Sequence, residues 1–211
     1  MIEYLDFARR HRFGDWMTGY KGGAPSMDGH RARDEGTARF AWAIPDEEAL
    51  TLLLALGPLI ELGAGCGYWT FLLRERGGDV VAYERNPPLD DRHSNGYCKE
   101  TNRGGGAPDV IGRVWTPVLK GRVKPIRAHP DRTLFLCWPL YGDRFAAVAL
   151  QAYRGARFAY IGEGASGCTG DDDFHALLAH EWEDEIFHRL HQWWGLHDNL
   201  TIYRRKESPA P

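Results

Sequence analysis

The chain of 211 residues has a formal net charge of −3, with 43% hydrophobic and 26% charged residues, which is ordinary for a soluble globular domain. That charge creates no general field for polyanions and argues against a duplex nucleic acid as a partner. Four scattered cysteines without a C-x-x-C pair indicate neither a disulfide framework nor a zinc site. The N-terminus lacks a signal-peptide core and no run approaches the about 18 apolar residues of a membrane span, so we expect one cytoplasmic domain without membrane contact.

The first 45 residues are predicted to form an N-terminal extension, or lid, ahead of the main domain. Residues 1–13 place apolar side chains before a basic end, which predicts a short helix. Residues 14–37 are rich in glycine and charge and favour a flexible surface segment. The main domain is predicted to cover residues 46–205, and a polar tail follows at 206–211.

A helix is predicted at the start of the main domain. Asp46 can cap it, because a carboxylate accepts hydrogen bonds from the first unpaired backbone N–H groups. Glu47 and Glu48 then lie in the first turn, where the helix dipole favours negative charge. Gly57 and Pro58 end the helix, and an α/β unit follows.

The next segment, residues 59–68 (LIELGAGCGY), is the most informative in the chain. A short apolar run leads into three glycines spaced two apart, at Gly63, Gly65 and Gly67, and an amphipathic stretch follows. This order predicts a strand, a tight loop and a helix. The spacing differs from the G-x-G-x-x-G pattern of dinucleotide-binding loops.

Carboxylates stand on both sides of this loop in the sequence. Glu61 lies in the apolar run before it, and Glu84 ends the apolar run that follows, residues 79–84. A glycine turn lets a ligand approach the backbone closely, and an acid at the next strand end can bind both hydroxyls of a ribose. The loop has no lysine to meet phosphates, so the pattern favours a nucleoside with a cationic amino-acid tail over a pyrophosphate.

Strands and helices alternate through the rest of the chain. A long loop is predicted at 86–107, and helices are predicted at 141–154 and 171–190. Further strands are predicted at 115–119, 133–137, 157–161 and 200–203. This alternation predicts an α/β fold with a doubly wound, mostly parallel sheet, helices on both faces and an N-terminal helical lid, with the ligand above the strand ends.

The glycine loop and its two acids resemble motifs I and II of the class I S-adenosylmethionine (SAM)-dependent methyltransferases. The resemblance implies a seven-stranded type of sheet and SAM as the cofactor. It implies that Glu84 holds the ribose and that Glu61 contacts or orients the methionine ammonium. The predicted cofactor-binding residues are Glu61, Gly63, Ala64, Gly65, Gly67, Tyr68, Glu84 and Trp138. A structural glycine turn in some other βαβ unit is the alternative.

The end of the predicted strand 133–137 is a second candidate site. Its sequence CWPLY is similar in position to motif IV of the amino-methyltransferases, where an amide or acid and two prolines bind a target nitrogen. Here Cys137 replaces the amide or acid and Trp138 replaces the first proline, which puts base methylation in doubt. Trp138 is a candidate to wall the methyl-transfer channel or stack on adenine. The equal alternative is that it only shapes the turn.

Two aromatic residues are predicted to bind the substrate: Trp42, as part of the lid, and Tyr141, after the CWP turn. Aromatic faces offer a large contact area at low entropic cost. A core or surface role is the alternative for Trp42.

Candidates for a catalytic base are Glu163, His129 and Asp198, although class I enzymes often need none. A charged loop residue is the equal alternative for Glu163. No metal site is predicted, because the histidines of the predicted helix 171–190 do not have the spacing of a tight site.

These observations together predict a SAM-dependent methyltransferase that transfers a methyl group to an oxygen or nitrogen of a small molecule. One alternative is a nucleic-acid or protein methyltransferase, which would need a basic groove around Arg9, Arg10, Arg12, Arg31 and Arg33. Others are a non-catalytic SAM-binding protein and another nucleotide-binding α/β protein. The sequence leaves monomer and homodimer open.

Overall fold

The computed structural model describes residues 2–11, 27–87 and 113–207, and for residues 27–30 it describes the backbone alone. The predictions for residues 14–26, for 88–107 and for the end of the tail lie outside the described residues. Within those residues no helix combines the length and apolarity needed to cross a membrane.

Two of the helices begin at carboxylates that the sequence marks as caps. Asp46 accepts a hydrogen bond from the backbone N–H of Ala49 at 2.8 Å, and Asp171 accepts one from Phe174 at 3.0 Å. The α-helices of the described residues are α1 (Glu3–Arg10), α2 (Met27–Arg39), α3 (Glu47–Leu54), α4 (Tyr68–Arg74), α5 (Phe145–Ala152) and α6 (Asp172–Glu181), with a 3₁₀ turn at Lys124–Ala128.

Seven strands within the described residues form a single sheet, as the resemblance implied. They are β1 (Leu59–Leu62), β2 (Val80–Glu84), β3 (Leu119–Lys120), β4 (Thr133–Cys137), β5 (Arg157–Gly162), β6 (Trp182–Arg189) and β7 (Asn199–Arg205). Their order is β3-β2-β1-β4-β5-β7-β6. Strands β1 to β5 pair in parallel, and β7 pairs antiparallel with both β5 and β6. The predicted doubly wound, mostly parallel fold is therefore confirmed.

Helices cover both faces of the sheet, which the alternating side chains of β4 illustrate. Phe135 packs into one apolar cluster with α1, α3 and α4, whereas Leu134 and Leu136 pack into a second cluster with α5 and α6. All three side chains are fully buried. Because both faces are covered, the ends of the strands are the places where a ligand can reach the sheet.

The predicted helix 171–190 is wrong in its second half. Helix α6 ends at Glu181, and the chain continues from Trp182 as strand β6. Strand β6 lies at the edge of the sheet and, in the part of the chain that the structure describes, pairs with β7 alone, with a bulge between Asp184 and Ile186. An edge strand buries few of its own side chains, so its sequence has no clear two-residue alternation, and pairing with the neighbouring strand decides its conformation.

Three other predicted elements differ in extent. Part of the segment predicted to be flexible is helix α2, with Ala32 and Ala38 buried. The third strand is confined to two residues, Leu119–Lys120, and the helix predicted at 141–154 begins only at Phe145. Glycine and charge obscured α2, because tertiary burial of small residues leaves little periodic signal.

The N-terminal helix belongs to the core of the domain. Tyr4 is completely buried, its backbone N–H donates to the Tyr68 hydroxyl at 3.1 Å, and its own hydroxyl accepts from the indole N–H of Trp193 at 2.8 Å. Its ring also stacks on Phe40. Helix α1 therefore links α4 to the segment before β7. The division of the chain at residues 45 and 205 stays a prediction.

Candidate functional site

The turn between β1 and α4 requires glycine for its backbone shape. Gly63, Gly65 and Gly67 have φ values of 78°, 53° and 79°, in the left-handed region that side chains disfavour. A Cβ at Gly67 would also approach the Thr116 and Val118 side chains to 2.8 and 2.9 Å. Gly67 therefore serves the packing of the turn, and it does not line the pocket described next.

A pocket opens at the carboxyl ends of β1, β2 and β4, beside the position where the strand order reverses between β1 and β4. The glycine turn, the two acids and several aromatic side chains all line this pocket. Predicted cofactor-binding residues that line it are Glu61, Gly63, Ala64, Gly65, Tyr68, Glu84 and Trp138. The structure thus brings together seven of the eight predicted residues, from segments up to about a third of the chain apart.

Glu61 is a buried carboxylate in the pocket wall. It is only 2% exposed, and the Thr70 hydroxyl donates a hydrogen bond to its Oε2. Burial raises the pKa of Glu61 to about 7, against the opposing hydrogen bond from Thr70. A cationic group bound beside Glu61 would favour its charged form, so the site is suited to a ligand with an ammonium group.

Glu84 lies next to the glycine turn and supports it. Its Oε2 accepts from the backbone N–H of Gly65 at 3.1 Å, and its Oε1 accepts from Asn86 at 3.3 Å. The turn is tied to β2 in addition by the Gly63 and Ala64 N–H groups, which donate to the carbonyl of Tyr83. Each carboxylate oxygen can accept more than one hydrogen bond, so Glu84 can also receive a pair of ligand hydroxyls.

One end of the pocket has an aromatic wall. Trp42 and Trp138 stack with ring centroids 4.5 Å apart and planes 17° apart, and Phe40, Tyr68 and Trp69 also line the pocket. We call Trp42 and Trp138 the indole pair. Trp42 reaches this place because the bridge between Ile44 and His191 holds the segment before α3 against the chain near β7.

The predicted catalytic bases do not line the pocket. Glu163 is buried behind the end of β5; burial would raise its pKa, but hydrogen bonds from the Cys168 and His197 backbone lower it. His129 has its Nε2 2.9 Å from the Tyr83 hydroxyl, near the start of β4. Asp198 contacts the indole N–H of Trp138. These positions do not support the predicted catalytic roles.

Tyr141 and one group of histidines also lie in positions that differ from those predicted. Tyr141 is 70% exposed and lines a neighbouring surface depression instead of the pocket. His175 and His180 lie on α6, whereas His188 lies on β6, where its Nε2 is 2.9 Å from Asp46. The predicted grouping of these histidines on one helix is wrong, because the helix ends at Glu181.

The sequence prediction missed one further part of the pocket lining. Arg122 follows β3, donates a hydrogen bond to Asp143 and lies 5.4 Å from the centre of the Phe145 ring. All three residues line the pocket beside Gly121. A two-residue strand leaves almost no pattern, so nothing in the sequence marked Arg122 as adjacent to the glycine turn.

The fold is Rossmann-like. Neither the known family models nor the curated protein sequences match this chain. Solved structures do resemble it, including a Streptococcus agalactiae protein of the NADB-Rossmann superfamily with 13% identity, 81% and 73% of the two chains covered and a TM-score of 0.45.

Two other solved structures are described as methyltransferases with bound S-adenosylhomocysteine (SAH). Magnesium protoporphyrin IX methyltransferase from Synechocystis PCC 6803 has 10% identity, covers 96% of this chain and 94% of its own, and has a TM-score of 0.47. The Burkholderia thailandensis 1,6-didemethyltoxoflavin N1-methyltransferase has 18% identity, coverage of 76% and 78%, and a TM-score of 0.41. These similarities concern the general path of the chain, so the functional argument rests on the pocket.

Proposed function

We propose that the protein is a SAM-dependent methyltransferase that acts on a small molecule. The observation that carries this proposal is the combination of groups in one pocket, at the ends of β1, β2 and β4. It combines a close-approach glycine turn, the buried carboxylate of Glu61, the strand-end carboxylate of Glu84 and an aromatic wall. A turn without lysine and with two acids suits a cationic nucleoside better than a phosphate.

The cofactor end of the pocket is the part formed by Glu61, Gly63, Gly65 and Glu84. In this proposal Glu84 accepts hydrogen bonds from the ribose hydroxyls, and the glycines permit the ligand to approach the backbone. Glu61 receives the ammonium of the methionine part, directly or through water. SAM supplies an activated methyl group when bound.

The acceptor end is the part walled by the indole pair. Aromatic faces attract a positive sulfonium, and their flat apolar surface favours a planar or apolar acceptor. Since the predicted bases lie away from the pocket, this chain would contribute alignment of the acceptor and exclusion of water. An acceptor hydroxyl or amine that is already nucleophilic fits such a site best.

Calorimetry with SAM, SAH and NAD tests the cofactor. We expect SAM and SAH to bind and NAD to bind more weakly or not at all, because two acids flank a glycine loop that has no lysine. Tighter binding of NAD would contradict the proposal. Release of SAH from SAM on adding a fractionated small-molecule extract would then separate an enzyme from a non-catalytic SAM-binding protein. The cytoplasmic location and the oligomeric state stay open predictions.

A further inference from the structure

Trp138 has an unusual backbone conformation for a large residue. Its φ is 53°, and among the described residues it is the one non-glycine residue with a clearly positive φ. This region is strained for bulky side chains, and it persists only where the surroundings impose it. The question is therefore which contacts impose it and what they achieve.

Two hydrogen bonds fix Trp138 from opposite ends. Its backbone N–H donates to the carbonyl of Ile161 at 2.8 Å, and its indole N–H donates to Oδ1 of Asp198 at 2.7 Å. Asp198 is 1% exposed, and its own carbonyl accepts from the Gln192 side chain at 3.0 Å and the Leu190 backbone at 3.3 Å. These two bonds fix the backbone of Asp198, and from that fixed backbone its side chain reaches the indole N–H of Trp138.

The conformation places the Trp138 ring where it lines the pocket and stacks on Trp42. Asp198 itself is not part of the pocket wall, and its Oδ1 is occupied by the indole N–H. An acceptor in the pocket would meet the indole before it could meet the carboxylate. This arrangement suits a residue that acts through Trp138 and not a general base.

We propose that Asp198 is a positioning residue, which holds the Trp138 indole against Trp42 so that the indole pair forms the flat wall that selects the acceptor. The part concerning the acceptor rests on the proposed function, whereas the positioning of the indole does not. A rigid, planar wall fits a planar aromatic acceptor better than a branched aliphatic one, because flat faces stack over their whole area.

Circular dichroism in the far ultraviolet tests the positioning. Two indoles stacked at this distance couple their electronic transitions, and transition dipoles that are rotated relative to each other then produce a paired positive and negative band. We expect Trp42→Phe and Trp138→Phe each to remove that band, and Asp198→Leu to remove it without either indole being changed. Asp198→Asn keeps an acceptor oxygen for the indole N–H and should retain most of it. An unchanged band in Asp198→Leu would overturn the proposal, as would equal loss in Asp198→Asn.

The indole N–H resonance of Trp138 provides a second measurement in case Asp198→Leu does not fold. In nitrogen-15 spectra of the wild-type chain, a hydrogen bond to a carboxylate moves that resonance downfield, and Asp198→Asn should move it back upfield while the other indole resonances stay in place. Assignment comes from Trp138→Phe. A resonance that is insensitive to Asp198→Asn would contradict the proposed contact.

Calorimetry with SAH separates this inference from the proposed function. If SAH fails to bind the wild-type chain, the proposed function fails, but the dichroism result still decides the role of Asp198. If SAH binds, we expect Asp198→Leu and Trp42→Phe to change its affinity by less than about threefold, because the indole pair lies at the acceptor end. A loss of SAH affinity in folded Asp198→Leu would show that the indole pair belongs to the cofactor end, and would overturn the acceptor part.

Discussion

A buried carboxylate lies at each proposed end of the pocket, Glu61 in the wall of the cofactor end and Asp198 behind the wall of the acceptor end, and the two face different partners. Glu61 lines the pocket and accepts a hydrogen bond from the Thr70 hydroxyl. Asp198 lies behind the wall and accepts a hydrogen bond from the indole N–H of Trp138. Burial raises the pKa of each to about 7. An altered pKa alone therefore does not identify a group that contacts a ligand. Whether the side chain points into the pocket decides that.

The two ends also differ in how they are built. The turn at the cofactor end spans residues 63–67 and depends on local backbone shape. The acceptor end joins Trp42, Trp138 and Asp198, which come from the segment before α3, the end of β4 and the start of β7. A local turn can be changed by one substitution that blocks it, whereas an assembled wall responds to changes in any of its parts.

The largest effect is expected for Gly65→Val. The substitution places a branched side chain in the pocket wall, at a residue with φ of 53°, so SAH binding should be abolished in calorimetry. Gly77→Val is the matched control, because Gly77 has a φ of 84° in open space outside the pocket. Gly77→Val should share the backbone strain and retain SAH binding. Full affinity in Gly65→Val would place the ligand elsewhere.

The next largest effect is expected for Glu84→Ala. Loss of charge-assisted hydrogen bonds to two hydroxyls should weaken SAH binding by about 1.5–3 kcal/mol, or roughly 10- to 150-fold in Kd. Glu75→Ala is a suitable control, since Glu75 is an exposed carboxylate at the end of α4 that does not line the pocket. An unchanged Kd in Glu84→Ala would rule out Glu84 as the ribose ligand.

Proton release should distinguish the two buried acids. A cationic ligand beside Glu61 favours its charged form, so SAH binding near pH 6.5 should release a proton, and affinity should rise with pH until Glu61 is ionised near pH 7. Calorimetry in buffers of different ionisation enthalpy measures this release. We expect it to disappear in Glu61→Gln and to remain in Asp198→Asn. Equal proton release in the wild-type chain, Glu61→Gln and Asp198→Asn would show that Glu61 does not contact the ligand.

Stability should depend on pH through the same two groups. Their folded pKa values of about 7 lie above the ordinary 4.5 for Glu61 and 3.8 for Asp198. Between about pH 4 and 7 the folded protein therefore holds protons that the unfolded chain has lost, so the free energy of unfolding falls as pH rises through this window. Urea titrations should show a smaller fall in Glu61→Gln. A slope identical to that of the wild-type chain would contradict this expectation.

The smallest effect is expected for Tyr141→Ala. The Tyr141 side chain is largely exposed and lies outside the pocket, so SAH affinity and the free energy of unfolding should both stay within about 0.5 kcal/mol of the wild-type values. The measurement pairs calorimetry with a urea titration. A large loss of SAH affinity would extend the cofactor end into the neighbouring depression.

The parts of the structure that were predicted correctly are those with short-range causes. Asp46 caps α3, the glycines form a left-handed turn, and β1, β2, β4, β5 and β7 lie close to their predicted ranges. Strand β6 and helix α2 were not predicted. Their conformations depend on pairing with β7 and on packing against α1, contacts that leave little pattern in the local sequence.

In the candidate site, too, the correctly predicted parts differ from the wrongly predicted ones in how local their causes are. Most of the residues predicted around the glycine turn line the pocket, whereas Glu163 and Tyr141, which were predicted from their positions after strand ends, lie elsewhere, as does His129. A strand end constrains where the backbone goes. It does not determine whether a side chain that follows the strand turns towards the ligand.

By itself, the sequence determined the alternating fold, the glycine turn and the two acids beside it, because backbone geometry at glycine and the order of apolar runs act over a few residues. Only the tertiary structure decided that Trp42 stacks on Trp138 and that Asp198 holds the indole from behind. Side chains so distant in sequence meet through packing of the whole domain, and the direction in which a buried carboxylate points is a property of that packing.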